Sequence, residues 1–411
     1  MRKRSRKPIS TRREVGLVLR YMNSRSTGYV LQKNGNRACR VSQAYGTYGR
    51  IAVASFIHAN VEQKFHYGYL QGSDLLQTLS MPNGVTLTQE YEEKRNLLTS
   101  MGYVRENSVV TQRKHTYDAL ARPETRDTRY PNKSISHNDS FAYNHRRELT
   151  GAPLGNSAYT YAYDNIGNRE IAQEAAEGIT YAANELNRYT RISTDGENYT
   201  PEYEADGNQT LVQISTGIWH VTYNAQNRAV KFESADGSTL ITCAYDYAGR
   251  RFEKKVTTKG GITTHQRFLY RGYLQIAALY MLRSHQPALW YITWDPTQPV
   301  ATSPLAIRPA GNLTQPIQWS SECYDPKTAL VYYNYRYYNP QDGRWTSRDP
   351  IGIKGEVNLY AFGNNIPTQT FDHLGKDLYA IDGTNYDYGE SGNVAKFYDW
   401  YQGMSDSLYN S

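Results

Sequence analysis

Three cysteines, at positions 39, 243 and 323, are too scattered and too odd in number for a disulfide framework, and no C-x-x-C pair offers a zinc site. A reducing compartment fits that usage, and neither a metal nor a cofactor is expected. Long apolar runs are also missing. The longest, Leu274 to Leu282, falls far below the ~20 residues that span a bilayer as a helix. Glu14-Val-Gly-Leu-Val-Leu-Arg20 is too short and too soon charged for the apolar region of a signal peptide. The reading is therefore of a protein soluble as made, in a reducing cytoplasm, without a membrane span. Phenylalanine and tryptophan are sparse, at 9 and 6 residues. A compact helical enzyme would draw its apolar surface largely from such residues together with Leu, Ile and Val.

Tyrosine takes their place, with 38 copies. Each ring buries about 150–250 Å² while its hydroxyl tolerates water, which suits a sheet wetted on one face. The expectation is a mainly β protein. The formal charge of +7 does not point to nucleic acid, because Arg2, Lys3, Arg4, Arg6, Lys7, Arg12 and Arg13 carry all of it in one carboxylate-free arm. The remaining body is neutral, and no basic-aromatic groove is implied.

The chain repeats itself. Tyr117-Asp-Ala-Leu-Ala-Arg122, Tyr163-Asp-Asn-Ile-Gly-Asn-Arg169, Tyr223-Asn-Ala-Gln-Asn-Arg228 and Tyr245-Asp-Tyr-Ala-Gly-Arg250 are copies of one unit, and weaker copies start at Tyr91, Tyr143, Tyr181 and Tyr203. Their spacing of roughly 18–26 residues lies in the range of repeat architectures. Each copy reads as a hairpin: a strand ends on Tyr, Asp or Asn closes a turn through its side chain, Gly or Asn takes the left-handed position, and Arg begins the next strand. Lone hairpins are marginal in water, so successive copies must pair edge to edge, which predicts one continuous curling antiparallel sheet with little helix before residue 377. Arg at each turn exit can lie over a neighbouring Tyr ring. These residues read as scaffold.

Tyr-Asp-x-x-Gly-Arg at this spacing resembles the YD repeats of RHS proteins and of insecticidal toxin-complex cocoons, over about Tyr91 to Tyr273. The resemblance implies strands spiralling into a hollow β-shell, whole or partial, around a toxin cargo. Residues 1–60 form a degenerate basic N-terminal segment with Tyr45-Gly-Thr-Tyr-Gly-Arg50 as its echo of the unit, and 61–282 carry the repeats. Residues 283–318 hold Pro287, Pro296, Pro299, Pro304, Pro309 and Pro316, which deny donors to a central strand and suit a connection or an edge.

From 319 to 376 a denser motif follows: Tyr332-Tyr-Asn-Tyr-Arg336-Tyr-Tyr-Asn-Pro340-Gln-Asp-Gly-Arg344-Trp345, Arg348-Asp-Pro-Ile-Gly352, Asn358-Leu-Tyr-Ala-Phe-Gly-Asn-Asn365-Ile-Pro367 and Asp372-His-Leu-Gly-Lys376. On residue chemistry alone, Asp349 and Asp372 are turn formers. They also lie 23 residues apart and could meet as a carboxylate pair. The motif closely resembles the RHS repeat-associated core domain, and that resemblance implies that Asp349 and Asp372, assisted by Arg348, cut the chain once near Lys376–Asp377. Asp-His373 and Lys376 depart from the family's Asp-Pro and Leu at that junction.

Beyond the junction, 377–411 is a variable tail of 35 residues. Asp377-Leu-Tyr-Ala-Ile-Asp382-Gly-Thr-Asn385 and Val394-Ala-Lys-Phe-Tyr-Asp-Trp400 read as a short β-loop-α opening and resemble the start of DUF2235 α/β-hydrolases, which include type VI secretion phospholipases. No G-x-S-x-G elbow accompanies it, so no lipase activity is expected. Three functions stay open at this point. The first is a self-cutting toxin carrier whose partners are its C-terminal cargo, secretion-apparatus proteins for contact-dependent export and an immunity protein. The second is a non-catalytic carbohydrate-binding surface protein. The third is the remnant of a truncated gene.

Overall fold

The computed structural model describes residues 15–22, 25–131, 135–282, 288–297, 303–308, 317, 322–354 and 357–380. The basic arm at 2–13 and the predicted helix at 394–400 lie outside them. Among the described residues the chain is built from strands, with only three-residue 3₁₀ turns as helix.

Within each sheet every strand pairs antiparallel with its sequence neighbours, as hairpin chemistry dictates. The array divides into three sheets: β1 (Val15–Met22) to β11 (Ile135–Ser140), β12 (Ala142–Tyr143) to β18 (Glu197–Tyr199), and β19 (Glu202–Tyr203) to β28 (Pro304–Arg308). The expected single sheet is thus corrected to three. At the second break stands Pro201, which has no N–H for the ladder, and the strands that follow both breaks begin with a bulge, at Ala142/Tyr143 and Glu202/Tyr203. The hairpins also run unbroken from Val15, well ahead of the recognisable repeat letters. In 283–318, Ala288–Trp294 and Pro304–Arg308 form the last two strands, and Pro304 opens the edge strand, where its missing donor is harmless.

One interaction recurs along the array. The tyrosine that ends a strand donates its hydroxyl to a carbonyl at the start of the preceding repeat strand: Tyr69 to Ile51 (2.8 Å), Tyr91 to Leu76 (2.7 Å), Tyr117 to Leu98 (2.7 Å), Tyr143 to Pro123 (2.9 Å), Tyr163 to Leu149 (2.9 Å) and Tyr223 to Gln209 (3.1 Å). The turn beyond it closes as its letters require. Asp118 Oδ1 accepts from the backbone N–H of Leu120 and Arg122, and Ala121 takes the left-handed conformation. Gly167 and Gly249 occupy that left-handed position in their own turns. Arginines then lie over the next tyrosine, Arg122 over Tyr143 at 4.7 Å and Arg50 over Tyr69 at 4.6 Å.

The array curls back on itself. Tyr29, Leu31, Val41 and Phe56 of the first sheet share one core with Phe232, Ile276 and Ile292 of the third, and Tyr29 donates to the Ile292 carbonyl across 263 residues of sequence. The last segment lies across the turns. It comprises β29 (Cys323–Asp325), β30 (Leu330–Tyr333), β31 (Arg336–Asn339) and β32 (Arg344–Trp345), then the pair β33 (Thr370–His373) and β34 (Asp377–Ala380). Its own core is Val331, Tyr333, Tyr338, Trp345 and Phe362. It touches successive repeats in turn, through Gln369 to Ala121, Asn365 to Gly167, Asn358 to Asn168, Tyr360 to Gly207 and Lys254 to Asp325.

Candidate active site

Arg336 opens β31 amid buried aromatics, where an unpaired guanidinium would be prohibitively costly. Its plane stacks on Trp345 at 4.1 Å, and its side chain is 2% exposed. The partners come from two distant turns. Asp349 follows β32 in a turn where its Oδ1 accepts from Ile351 N (2.9 Å) and its own N–H donates to the Leu359 carbonyl. Asp372 lies in β33. One nitrogen of Arg336, Nη2, reaches Asp349 at 3.0 Å and Asp372 at 2.6 Å, which brings the two carboxylates together in a site almost closed to water. Sharing one nitrogen keeps them within the ~3–6 Å needed for joint acid–base work.

The junction is held by the same groups. Arg336 Nε donates to the Gly375 carbonyl (2.6 Å), and Lys376 N–H donates to Asp372 Oδ1 (2.7 Å). The peptide unit just ahead of Lys376–Asp377 is therefore gripped at both its oxygen and its nitrogen. Leu374 and Gly375 both take left-handed φ in this turn, and a Cβ on Gly375 would come 2.9 Å from the Tyr333 carbonyl, so only glycine fits. Asp377–Ala380, read from sequence as the start of a separate tail domain, pairs back on β33 with His373 opposite Asp377.

Burial pushes the Asp372 carboxyl up to about 6; Arg336 opposes that rise, and the charge of Asp349 reinforces it. Glu322, just ahead of β29, adds a third carboxyl to the neighbourhood. Its residue surface is partly exposed, but burial of its carboxyl end raises it well above the ordinary range, and the charge of Asp372 adds to that.

Arg348 stands elsewhere. Its side chain lies against the repeat turn at Gly207, where an added Cβ would meet its Nε at 2.5 Å, and among the described residues no ion pair joins it to either aspartate. It lines a cleft of about 320 Å³ with Asp206, Arg228, Tyr335, Ser347 and Asp349. Arg336 is the cation that sequence reasoning passed over. The available signal was a lone charge inside a run of buried aromatic residues, which demands a buried partner.

The antiparallel repeat array and the segment laid across it define a class, a YD-repeat β-shell scaffold. The chain belongs to the Teneurin YD-shell family, whose model matches residues 64–297. It is similar to toxin protein Tse5 of Pseudomonas aeruginosa, 43% identical over 61 residues, which cover 15% of this chain and 5% of Tse5. Similarity to tRNA nuclease WapA of Bacillus subtilis is 24% identity over 346 residues, 80% of this chain and 14% of WapA. The chain thus spans a small part of these relatives. The crystal structure of TcdB2-TccC3-Cdc42 matches 88% of this chain and 26% of its own at 14% identity, with a TM-score of 0.45. No described helix is long and apolar enough to cross a membrane.

Proposed function

We propose that this chain is the carrier portion of an RHS-type toxin and that it cuts itself once near Lys376–Asp377. The observation that carries the reading is the shared grip of Arg336 on Asp349, Asp372 and the Gly375 carbonyl, beside a Lys376 N–H bonded to Asp372. In the reaction, water adds to the scissile carbonyl carbon and gives its proton to the Asp349 carboxylate. Asp372, raised to about 6, supplies a proton to the departing nitrogen, and the C–N bond breaks to a carboxylic acid and an amine. Arg336 steadies the charge that builds during the addition. Arg348, at the rim of the cleft that reaches Asp349, modulates the pair from outside.

The segment beyond Lys376 is then the cargo. Similarity to toxin protein Tse5 supports that assignment, with an immunity protein and a contact-dependent secretion apparatus as the partners such cargo requires. Asp349→Asn and Asp372→Asn, each alone, are expected to abolish the cut in the full chain, because the acid–base step needs both groups. Arg348→Ala is expected to slow it only in part. An unchanged break in either Asn variant overturns the reading.

A further inference from the structure

Arginines in four repeat turns reach forward to a carbonyl of the next turn: Arg95 Nη1 to Asp118 (2.8 Å), Arg146 Nη2 to Asp164 (2.6 Å), Arg188 Nη2 to Ala205 (3.3 Å) and Arg250 Nη1 to Gly272 (2.5 Å), whereas Arg122 bonds back to its own Asp118. Arg228 stands where Arg188 and Arg250 do, directly after the left-handed residue of its turn, here Asn227. Like them it would reach the next turn, which begins at Asp246. Instead it turns into the core segment, where Nη1 donates to the Asn334 carbonyl (2.7 Å) and the guanidinium lies over the Tyr335 ring at 4.1 Å.

The atoms on the far side of that contact matter. The Asn334 carbonyl and the Tyr335 N–H belong to one peptide unit, and the Tyr335 N–H donates to the Leu374 carbonyl at 2.9 Å, in the turn that ends at Lys376. The same Tyr335 ring has Lys376 Nζ at 5.3 Å, and its hydroxyl is 3.0 Å from that of Tyr273 in the repeats. Arg336, which holds both carboxylates, is the next residue in the chain. Arg228 is almost fully buried, and it lines the cleft that also touches Asp349. Gly249 of the following turn packs against it so closely that a Cβ there would meet Nη2 at 2.5 Å. A bond to one end of a peptide polarises and fixes the other end, so Arg228 sets the depth and tilt of the turn at 374–376 through a single relay.

We infer that Arg228 is a positioning residue for self-cleavage: by docking on Asn334 and Tyr335 it seats the junction turn against Arg336 and Asp372, so the core cuts only when the repeat hairpin at 217–234 is folded beneath it. This deepens the self-cleavage reading and rests on it. The shell becomes a condition of the cut, because a core segment without its repeats keeps its own bonds to the turn but loses the Arg228 contact that seats the Asn334–Tyr335 peptide against it.

The test uses the full chain made by cell-free synthesis, with the cut followed over time by intact mass. Arg228→Ala is expected to slow the cut at least tenfold, with the protein folded by circular dichroism. Free guanidinium at millimolar concentration is expected to restore most of the rate, because the truncated side chain leaves room beside the cleft. Arg228→Lys should fall between, since it keeps a cation over the ring but loses the fork. Arg95→Ala, which removes a forward contact of the same kind within the first sheet, should cut at the wild-type rate. A wild-type rate in Arg228→Ala, equal slowing in Arg95→Ala, or no response to guanidinium overturns the inference. Survival of the cut in Asp372→Asn removes the reading beneath it. Loss in Asp372→Asn with a normal rate in Arg228→Ala removes this inference alone.

Discussion

Asp118 and Asp372 are spelled alike, an aspartate in a turn a few residues ahead of a basic side chain, and they behave in opposite ways. Asp118 belongs to a repeat. Burial works upward on its carboxyl but is outweighed by the backbone N–H of Arg122, the Arg122 guanidinium at 2.6 Å and the N–H of Leu120, so it is held below the ordinary carboxylate range. All of its partners lie within four residues. In Asp372 burial wins over Arg336, and the carboxyl rises to about 6. Its cation comes from 36 residues away and is shared with a second carboxylate. A turn that satisfies its own aspartate makes scaffold, whereas one that exports its aspartate into a shared buried site can hold a proton near neutrality.

Removing the shared cation should break this contrast most severely. Arg336→Met strands two buried carboxylates, and about 3–5 kcal/mol of stability is expected to go with it, together with the cut. Denaturant unfolding on the Asp372→Asn background, where no cut is expected, reads the part of that loss owed to Asp349. Asp118→Ala should cost about 1–2 kcal/mol through its lost turn bonds, yet leave the rate of cutting untouched. A slowed cut in that variant would mean the two kinds of turn are not separate. Tyr163→Phe, which loses only the hydroxyl bond to the Leu149 carbonyl, should cost about 1 kcal/mol or less.

Acidity sharpens the comparison in another way. Because Asp372 is raised in the folded chain, its contribution to stability is complete below about pH 4 and is lost as the pH rises through about 6. The group that must donate a proton empties over the same upper range. The cut should therefore slow above pH 6, by up to tenfold per unit, in cell-free reactions buffered from pH 5 to 8. A rate that rises across that range would assign the acid role elsewhere. Asp118, held low by its neighbours, should add a small stability that is present above about pH 4 and is lost as the pH falls below it.

The repeats were legible because each turn is closed locally: Tyr, Asp, Gly and Arg stand within six residues, and the Asp side chain accepts from N–H groups two and four residues on. Their extension back to Val15 was not, since the strands from Val15 to His58 keep the hairpin pairing after most of the letters have gone. Nor was the division into three sheets, whose second break falls at Pro201. Asp349 and Asp372 were visible through a family resemblance, and they could equally have been turn formers. Arg336 stood in plain view within the aromatic run, but its partners come from turns that only the folded core brings near. Arg348 is adjacent to Asp349 in sequence and points away from it, toward Gly207. Adjacency along a turn says little about which side chain faces inward.

The central claim is that the buried pair on Arg336 cuts the chain it belongs to. Intact-mass analysis of the purified 411-residue protein tests this most directly. The account predicts one break, between Gly375 and Asp377, in wild type and none in Asp372→Asn. A single uncut species in wild type, or a break outside that stretch, would contradict it.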